Sequence, residues 1–321
     1  MLSKSWSAMV ALGLLLGVTG MPHAQTPAKL LVGFPTGGAP DVVARLFADH
    51  VRKQGGATIV VENRTGASGT LAIDAVLAAP ADGNTLALIP SAVLSLLPVT
   101  VKNARFNPNT DFTPLVSLGE YGFAIATGAS VPVGSLDEFI KWARSNPAKA
   151  SYGTPGLGTP QHFLGATLAR SAGIDLIHVP YRGGAQALTD VLGGGTASLI
   201  TTEALIIPHH AKKDLRGLFV TSPQRNPRMG DVPTAKEAGH AQLEAVDWFG
   251  LFVRNGTPAD AVGRVRQQAT QVVNSREYID AVTQLGYRVM PASPDQLVRK
   301  VEQDVSSWSA RVKLSGFKVE D

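Results

Sequence analysis

Cysteine is absent from this chain of 321 residues. Its absence excludes disulfide bonds, cysteine-ligated zinc, thiol catalysis and attachment of a lipid to an N-terminal cysteine. Runs of like charge are also missing, since 29 basic and 25 acidic residues are spread along the chain. Proteins that bind nucleic acid usually carry a basic stripe, so that function is not favoured. The hydrophobic share of 44% and the charged share of 17% are typical of a globular protein.

Motifs for cofactors and for the common catalytic centres are missing as well. No Gly-Lys dipeptide occurs, which excludes a P-loop, and the turn at 33–38 does not match the dinucleotide-binding fingerprint. Neither the Gly-x-Ser-x-Gly elbow of hydrolases nor the His-Glu-x-x-His motif of zinc enzymes is present. Ser91, His162 and Asp41 could be combined into a catalytic triad, but no local motif supports it. We therefore expect no cofactor, no metal and no catalysis.

Residues 1–24 have the pattern of a secretory signal peptide. Lys4 supplies the positive charge at the start, and the apolar run Ala8–Val18 has the length of a signal core. A membrane helix needs about 20 apolar residues, and neither this run nor any later segment is long enough. Cleavage after Ala24 would release a soluble protein, which we expect in the periplasm without a lipid anchor. An uncleaved anchor or a buried helix is the alternative.

Strand and helix patterns alternate in two arrays along the rest of the chain. The first array begins at the apolar run Lys29–Phe34 and continues as a βαβαβ pattern to Ile89. The second leads from a helix near Ser135 to a strand at Ala197–Thr201. Such alternation implies parallel strands, and too few units fit a regular spacing for a barrel, so we predict two α/β domains. The predicted C-terminal elements are a strand at 249–253 and helices at 258–274 and 294–313.

Two loops, at 35–41 and 154–162, place glycines directly before a predicted helix. Glycine lets the backbone approach a ligand closely, and the free amides and the dipole of a helix N-terminus favour an anion. Either loop alone could equally be a tight turn, whereas two of them facing one cleft would form a carboxylate site. Arg45 and Arg182 are further candidate anion contacts, although Arg45 could equally be a solvated or helix-packing residue.

Seven segments, in order, resemble the Bug family of periplasmic solute-binding proteins, the receptors of tripartite tricarboxylate transporters. Together they cover essentially all of the chain after residue 24. They are GFPTGGAPDVVARLFADHV (33–51), VVENRTGASGTLAIDAV (60–76), ADGNTLAL (81–88), YGTPGLGTPQHFLGATLA (152–169), HVPYRGGAQALTDVLGG (178–194), DVPTAKEAG (231–239) and FGLFVRNGTP (249–258). One departure is Thr36, which stands where a small alanine is common in the family.

The resemblance implies a type II periplasmic-binding-protein fold, in which two α/β domains joined by crossover strands close on a ligand. Its domains would be residues 25–125 with 246–321, and residues 126–245. The crossovers would fall near Tyr121–Thr127 and Val246–Val253. The resemblance also implies a small carboxylate ligand and delivery of that ligand to membrane subunits of a tripartite tricarboxylate transporter. A monomer without a nucleic-acid partner is the expected form.

The ligand contacts implied by the resemblance lie on the two loops, on the segment after the third strand and on the HVPYRGG segment. Contacts in the family are largely backbone amides and ordered waters, so side-chain identity does not name the ligand. By match, the residues are Phe34, Thr36, Gly37, Gly38, Asp41, Ser91, Ala92, Thr154, Gly156, Gly158, Thr159, His162, Tyr181 and Asp190.

Two other functions stay open at this point. One is a secreted α/β hydrolase-like enzyme, against which the missing catalytic motifs argue. The other is a ligand sensor that docks on a membrane signalling protein, which the sequence does not separate from a transport receptor. The sensing domain of a DNA-binding regulator would need a helix-turn-helix, whereas the N-terminus offers a signal-like segment.

Overall fold

A computed structural model of the chain describes residues 27–101, 105–290 and 292–317. The expected signal peptide, residues 1–24, lies outside the described residues. Within the described part, nine strands and eleven α-helices alternate, and the strands join one mixed sheet. No helix in that part is both long and apolar enough to cross a membrane.

The first half of the sheet starts with the βαβαβ unit that the sequence predicts. β1 pairs in parallel with β2 on one side and with β3 on the other, because each helical crossover returns the chain in the same direction. The elements are β1 (Ala28–Val32), α1 (Ala39–Lys53), β2 (Ile59–Asn63), α2 (Thr70–Ala78), β3 (Thr85–Pro90), α3 (Ser91–Ser95) and α4 (Leu97–Thr100).

The strand β4 (Phe112–Thr127) is 16 residues long and belongs to both halves of the sheet. Up to Gly122 it pairs with β9 (Val246–Arg254), and from Phe123 onward it pairs with β7 (Ser198–Thr202) and β8 (Arg216–Val220). The chain therefore crosses from the first half to the second within β4. It returns to the first half in β9, which also pairs with β3.

The second half repeats the alternation of strand and helix, with β5 parallel to both β6 and β7. Three helices then follow β9 at the C-terminal side of the chain. The remaining elements are α5 (Leu136–Ser145), β5 (Ser151–Thr154), α6 (Pro160–Ala172), β6 (Ile177–Pro180), α7 (Gly184–Leu192), α8 (Glu203–Ala211), α9 (Ala259–Val273), α10 (Arg276–Gln284) and α11 (Pro294–Ser315).

Helices cover both faces of the sheet, which explains why the central parallel strand β3 is apolar and buried along almost its whole length. In α1, Val43, Phe47 and Val51 recur every four residues and are buried against one face. On the opposite face of the first half, Trp248 lies in a separate core that α2, α3 and the start of α11 share. Full burial of a valine or phenylalanine side chain, as in α1, stabilises the fold by about 1.5–3 kcal/mol.

Most predicted elements are confirmed, with ends shifted by a few residues. The second helix of the predicted βαβαβ pattern begins as a 3₁₀ turn at Ala67–Gly69 before α2. Six elements were missed by the sequence patterns: α3, α4, β4, α8, β8 and α10. The long β4 escapes a pattern search because Pro114 and Gly119 interrupt it, next to two breaks in its register with β9.

Candidate functional site

The carboxyl ends of the parallel strands in both halves point to the same short stretch of β4. β3 ends at Pro90, which pairs with Phe249 of β9, and Phe249 pairs in turn with Gly119. β7 runs in the opposite direction and ends at Thr202, opposite Phe123. The loops that follow β1 and β5 therefore leave from two sheet edges that face each other across this stretch. Open α/β sheets bind their ligands at such carboxyl edges.

The loop after β1 is held by the buried carboxylate of Asp41, in the first turn of α1. This side chain is 2% exposed and accepts hydrogen bonds from the Gly37 amide (2.9 Å) and the Asn63 amide group (2.9 Å). The Arg45 guanidinium also donates to it, at 3.0 Å from both carboxylate oxygens. Asn63, at the end of β2, donates in addition to the Phe34 carbonyl (3.0 Å). A single carboxylate and its partners thus fix the shape of the loop.

Charge in the first loop is balanced. Burial alone would raise the pKa of Asp41, but hydrogen bonds from Arg45, Gly37 and Asn63 outweigh burial and lower it. The carboxylate is therefore ionised at neutral pH, and Arg45 neutralises it.

Two more expected contacts, Thr36 and Gly38, also form hydrogen bonds in the first loop. The Thr36 hydroxyl donates to the Asn63 side chain (3.2 Å), and the Gly38 amide donates to the Pro35 carbonyl (3.1 Å).

The loop after β5 is held by neutral hydroxyl groups. Thr154 is fully buried, and its hydroxyl bonds the Gly156 carbonyl (3.1 Å) and His178 Nε2 (2.7 Å). Thr159 caps α6, because its hydroxyl accepts the His162 amide hydrogen. The same hydroxyl donates to the Gly156 carbonyl (2.8 Å). Both threonines thus converge on one carbonyl of the loop.

The His162 ring is half-buried beneath this loop and stacks on His178, with ring centroids 4.2 Å apart and planes 11° apart. Its Nδ1 accepts a hydrogen bond from the Gly158 amide (3.3 Å), which requires an unprotonated Nδ1. Burial lowers the pKa of His162. Burial, with repulsion from His162, lowers the pKa of His178 to about 4. The ring pair is therefore neutral at pH 7.

Gly37 and Gly158 occupy equivalent positions in the two loops. Both have left-handed backbones, with φ of +80° and +71°, and an added Cβ would meet no atom within 4 Å. Both glycine amides are already bonded inside their own loops. Among the described residues, no acceptor is found for the neighbouring amides of Thr36, Ala39 and Thr159. The glycines therefore supply backbone shape and open space, while their neighbours supply free donors at the helix N-termini.

Ser91 and Ala92, at the start of α3, are bonded to a buried carboxylate on β9. Asp247 is 3% exposed and accepts hydrogen bonds from the Ala92 amide (3.0 Å) and the Tyr121 hydroxyl (2.7 Å). The Ser91 hydroxyl bonds the same carboxylate. Burial raises the pKa of Asp247 in spite of these hydrogen bonds. The Asp247 carboxylate thus joins α3, β4 and β9 at the crossing between the halves.

Tyr181 and Asp190 form a closed group with Thr196. The hydroxyls of Tyr181 and Thr196 each donate to Asp190, both at 2.5 Å. Both hydrogen bonds lower the pKa of Asp190, and the bond from Thr196 has the larger effect. The Tyr181 amide donates to the Thr154 carbonyl (3.0 Å), so the group lies beside the second loop. Its polar atoms are engaged with one another and support that loop from the side.

Residues 43–317 match the family model TctC, described as the tripartite tricarboxylate transporter family receptor. This chain belongs to the TctC family. The predicted resemblance to the Bug receptors is confirmed, because a Bug protein is also among its structural neighbours.

Three solved structures show the fold that this TctC-family chain shares. The periplasmic binding protein BugD is 29% identical, with a TM-score of 0.81 over 91% of this chain and 98% of BugD. Rpa4515 of R. palustris, solved with adipate, is 28% identical, with a TM-score of 0.84 over 92% and 98% of the two chains. MatC from Rhodopseudomonas palustris, with bound malate, is 27% identical, with a TM-score of 0.79 over 89% and 98%. The predicted periplasmic-binding-protein fold is thereby confirmed.

Two side chains that hold the site of this receptor were missed from the sequence. Asn63 lies 22 residues from Asp41 along the chain, and only the pairing of β1 with β2 brings them together. Asp247 had a detectable signal, since it is the one carboxylate in the apolar run 246–253. A charge at such a position is usually paired or functional.

The triad considered from the sequence does not form in this TctC-family receptor. Ser91 bonds Asp247, Asp41 bonds Arg45, and His162 bonds a loop amide. The three groups therefore engage three separate sets of partners, and no hydrogen bond relays a proton between them. The family is one of receptors, in agreement with this geometry.

A cavity of about 700 Å³ lies in the second half, away from both loops, between the start of α5, the end of α8 and β8. Its lining carries charges of both signs, including Lys213 and Asp137. His210 and Asp231 in this lining are paired at 3.0 Å. The two loops at the facing sheet edges, whose helix N-termini carry free amides, are the candidate site of the receptor.

Proposed function

We propose that this chain is a periplasmic receptor that binds a small carboxylate between its two halves and delivers it to a membrane transporter of the tripartite tricarboxylate type. The observation that carries the proposal is the pair of glycine-containing loops at facing sheet edges, each leading into a helix N-terminus. Adipate and malate in two relatives of the same fold support a carboxylate ligand. The ligand contacts would lie on the two predicted loops, at the free amides of Thr36, Ala39 and Thr159. The other polar residues predicted as contacts are engaged with protein partners and would support the site: Asp41, Ser91, Thr154, His162, Tyr181 and Asp190.

Recognition of this kind needs no cation aimed at the ligand. The amides at a helix N-terminus carry partial positive charge and point outward, which suits an oxygen anion. A free carboxylate beside the first loop would repel such a ligand. Arg45 pairs with Asp41 at 3.0 Å and removes this repulsion while leaving the loop amides accessible.

Delivery would follow from closure of two domains, residues 25–125 with 246–321 and residues 126–245. A ligand that contacts both loops favours the closed state, because only that state offers both sets of donors at once. The segment where β4 changes partners and the start of β9 are the natural hinge for this motion, since the chain passes between the halves there. The transporter would then recognise the closed receptor.

A thermal-shift screen with malate, adipate and citrate tests the proposal. A ligand at about 100 times its Kd adds about 2.7 kcal/mol to the free energy of unfolding, so a bound carboxylate raises Tm clearly. Gly37→Leu and Gly158→Leu should abolish the shift, because both place a bulky side chain in the space between the loops.

Gly256→Leu is the matched control. Gly256 has the same left-handed backbone (φ +84°) and equally open space, but it follows β9 at the opposite end of the sheet. All three variants carry a similar backbone strain of about 1–2 kcal/mol, and only the control should keep the ligand shift. Absence of a shift with every carboxylate in the wild-type protein, or its persistence in both loop variants, contradicts the proposal.

A further inference from the structure

We propose that Phe317, which follows the C-terminal helix, is a positioning residue for the second loop: its ring holds the His162 imidazole where that ring accepts the Gly158 amide. The inference deepens the proposed function and rests on it, since the second loop is half of the proposed site. Phe317 itself would not touch the ligand.

The helix α11 reaches two segments that carry predicted ligand contacts, α3 and α6. It has 22 residues, or about 33 Å of helix. Near its start, Leu297 and Val301 are buried in the core that α3 also enters. Near its end, Trp308 and Val312 belong to the core of α6. One rigid element therefore packs against α3, which begins at Ser91, and against α6, which carries His162 in its first turn.

The end of α11 is fixed to the second half by Arg311. Its guanidinium donates to the carbonyl oxygens of Gln242 (3.2 Å) and Glu244 (2.6 Å), just before β9. The same guanidinium lies 5.0 Å from the Trp308 ring. Anchoring of this kind sets the position of the residues that follow the helix.

The turn after α11 directs Phe317 back onto α6. Gly316 ends the helix with a left-handed backbone (φ +73°), and the Phe317 amide donates to the Ser315 hydroxyl (3.1 Å). The Phe317 ring then meets Phe163 edge-on at 5.3 Å and His162 edge-on at 5.9 Å. Aromatic pairs favour this edge-to-face arrangement.

The His162 ring is thus enclosed by rings from three elements. His178 of β6 stacks on it, and Phe163 and Phe317 lie against it. The titratable groups beside it are His178 and Tyr152 of β5, whose hydroxyl donates to the His162 carbonyl (3.2 Å). Without the Phe317 ring, water would reach the imidazole, and its orientation would be less restricted. The Gly158 amide would then lose a fixed acceptor.

The test compares Phe317→Ala, Phe317→Leu and the control Leu314→Ala, which truncates an exposed apolar side chain on the last turn of α11. Two NMR readouts need no ligand: the pKa of His162 from its ring carbon-bound protons, and the exchange rate of the Gly158 amide. Phe317→Ala should raise the His162 pKa toward the ordinary value of about 6.5 and speed amide exchange at least about tenfold. Phe317→Leu should lie between it and the wild type.

Affinity for malate, adipate and citrate, measured by calorimetry, completes the experiment. Phe317→Ala should lower the affinity for the acid that the wild type binds by about tenfold. Phe317→Leu should recover most of that loss of affinity, and Leu314→Ala should bind like the wild type. Unchanged NMR readouts in a folded Phe317→Ala protein overturn the positioning role. If that variant does not fold, a Phe317→Leu protein identical to the wild type in both readouts overturns it. A wild type that binds none of the three acids contradicts the proposed function instead, and the NMR readouts still decide the role of Phe317.

Discussion

The two loops of the candidate site have the same outline and different supports. Both follow a parallel strand, contain a left-handed glycine and lead into a helix that has proline in its first turn. The first loop is held by an ionised carboxylate with an arginine, whereas the second is held by threonine hydroxyls and a stacked pair of neutral imidazoles. Similar backbone geometry for an anion can thus be built with charge or without it.

This difference determines how each loop responds to pH and to mutation. A carboxylate with a lowered pKa stays ionised until the solution is strongly acidic, so the first loop should keep its support through the mildly acidic range. The second loop depends on imidazoles that must stay neutral, and acid opposes that state. The largest loss on side-chain removal is expected in the first loop, because one side chain there satisfies several donors.

Asp41→Ala is the substitution with the largest expected effect. It leaves the Gly37 amide, Asn63 and Arg45 without their common acceptor, and we expect the free energy of unfolding to fall by about 2 kcal/mol, a value kept low because Arg45 is half-exposed. Carboxylate affinity should fall at least about tenfold. Urea unfolding and calorimetry measure the two losses.

Asp49→Ala is the control on the same helix. Asp49 pairs with Arg52 and Lys53 at 2.6 Å, but it is exposed, and ion pairs of that kind contribute little. We expect its stability and its ligand binding to stay near those of the wild type. Equal losses in the two variants would show that the buried network does not hold the first loop.

The second largest expected effect is a pH dependence of the free energy of unfolding, which arises from the imidazoles of the second loop. In the unfolded chain a histidine takes up a proton near pH 6.5, whereas burial lowers the pKa of folded His178 to about 4. The unfolded state therefore binds the proton first, and stability is lost as the pH falls from about 6.5 toward 4. His178→Phe keeps a ring between Tyr152 and His162 and removes this titration.

The free energies of unfolding of His178→Phe and of the wild type should therefore converge or cross as the pH falls. Measured by urea unfolding at several values between pH 7.5 and pH 4.5, the stability of His178→Phe relative to the wild type should rise steadily as the pH falls. The values near pH 7.5 serve as the baseline, because there the ring is neutral in both states. Parallel curves across this range would show that the imidazole pair places no acid limit on the second loop.

The sequence predicted the loops of this comparison, and it named Asp41, Thr154 and His162 in them as ligand contacts rather than as supports. Glycine and proline before an apolar helix mark a turn locally, and family resemblance located both loops. Asn63 and His178 act through contacts with residues 22 and 24 positions away, which no local pattern contains. Resemblance placed the crossing near Tyr121–Thr127, where β4 changes partners, but local patterns did not show the whole strand. Pro114 and Gly119 make β4 read as broken segments, although pairing with β9 makes it one strand.

The smallest expected effect is a difference in stability between two threonine-to-alanine variants, one in each loop. Thr159 caps α6 and donates to the Gly156 carbonyl, so Thr159→Ala should lower the free energy of unfolding by about 1 kcal/mol. Thr36→Ala removes only an exposed hydrogen bond to Asn63 and should change it by less than about 0.5 kcal/mol. Differential scanning calorimetry of both variants measures the gap. An equal loss at Thr36 would mean that the first loop also depends on a neutral hydroxyl, and the distinction between a charged and an uncharged support would then no longer separate the two loops.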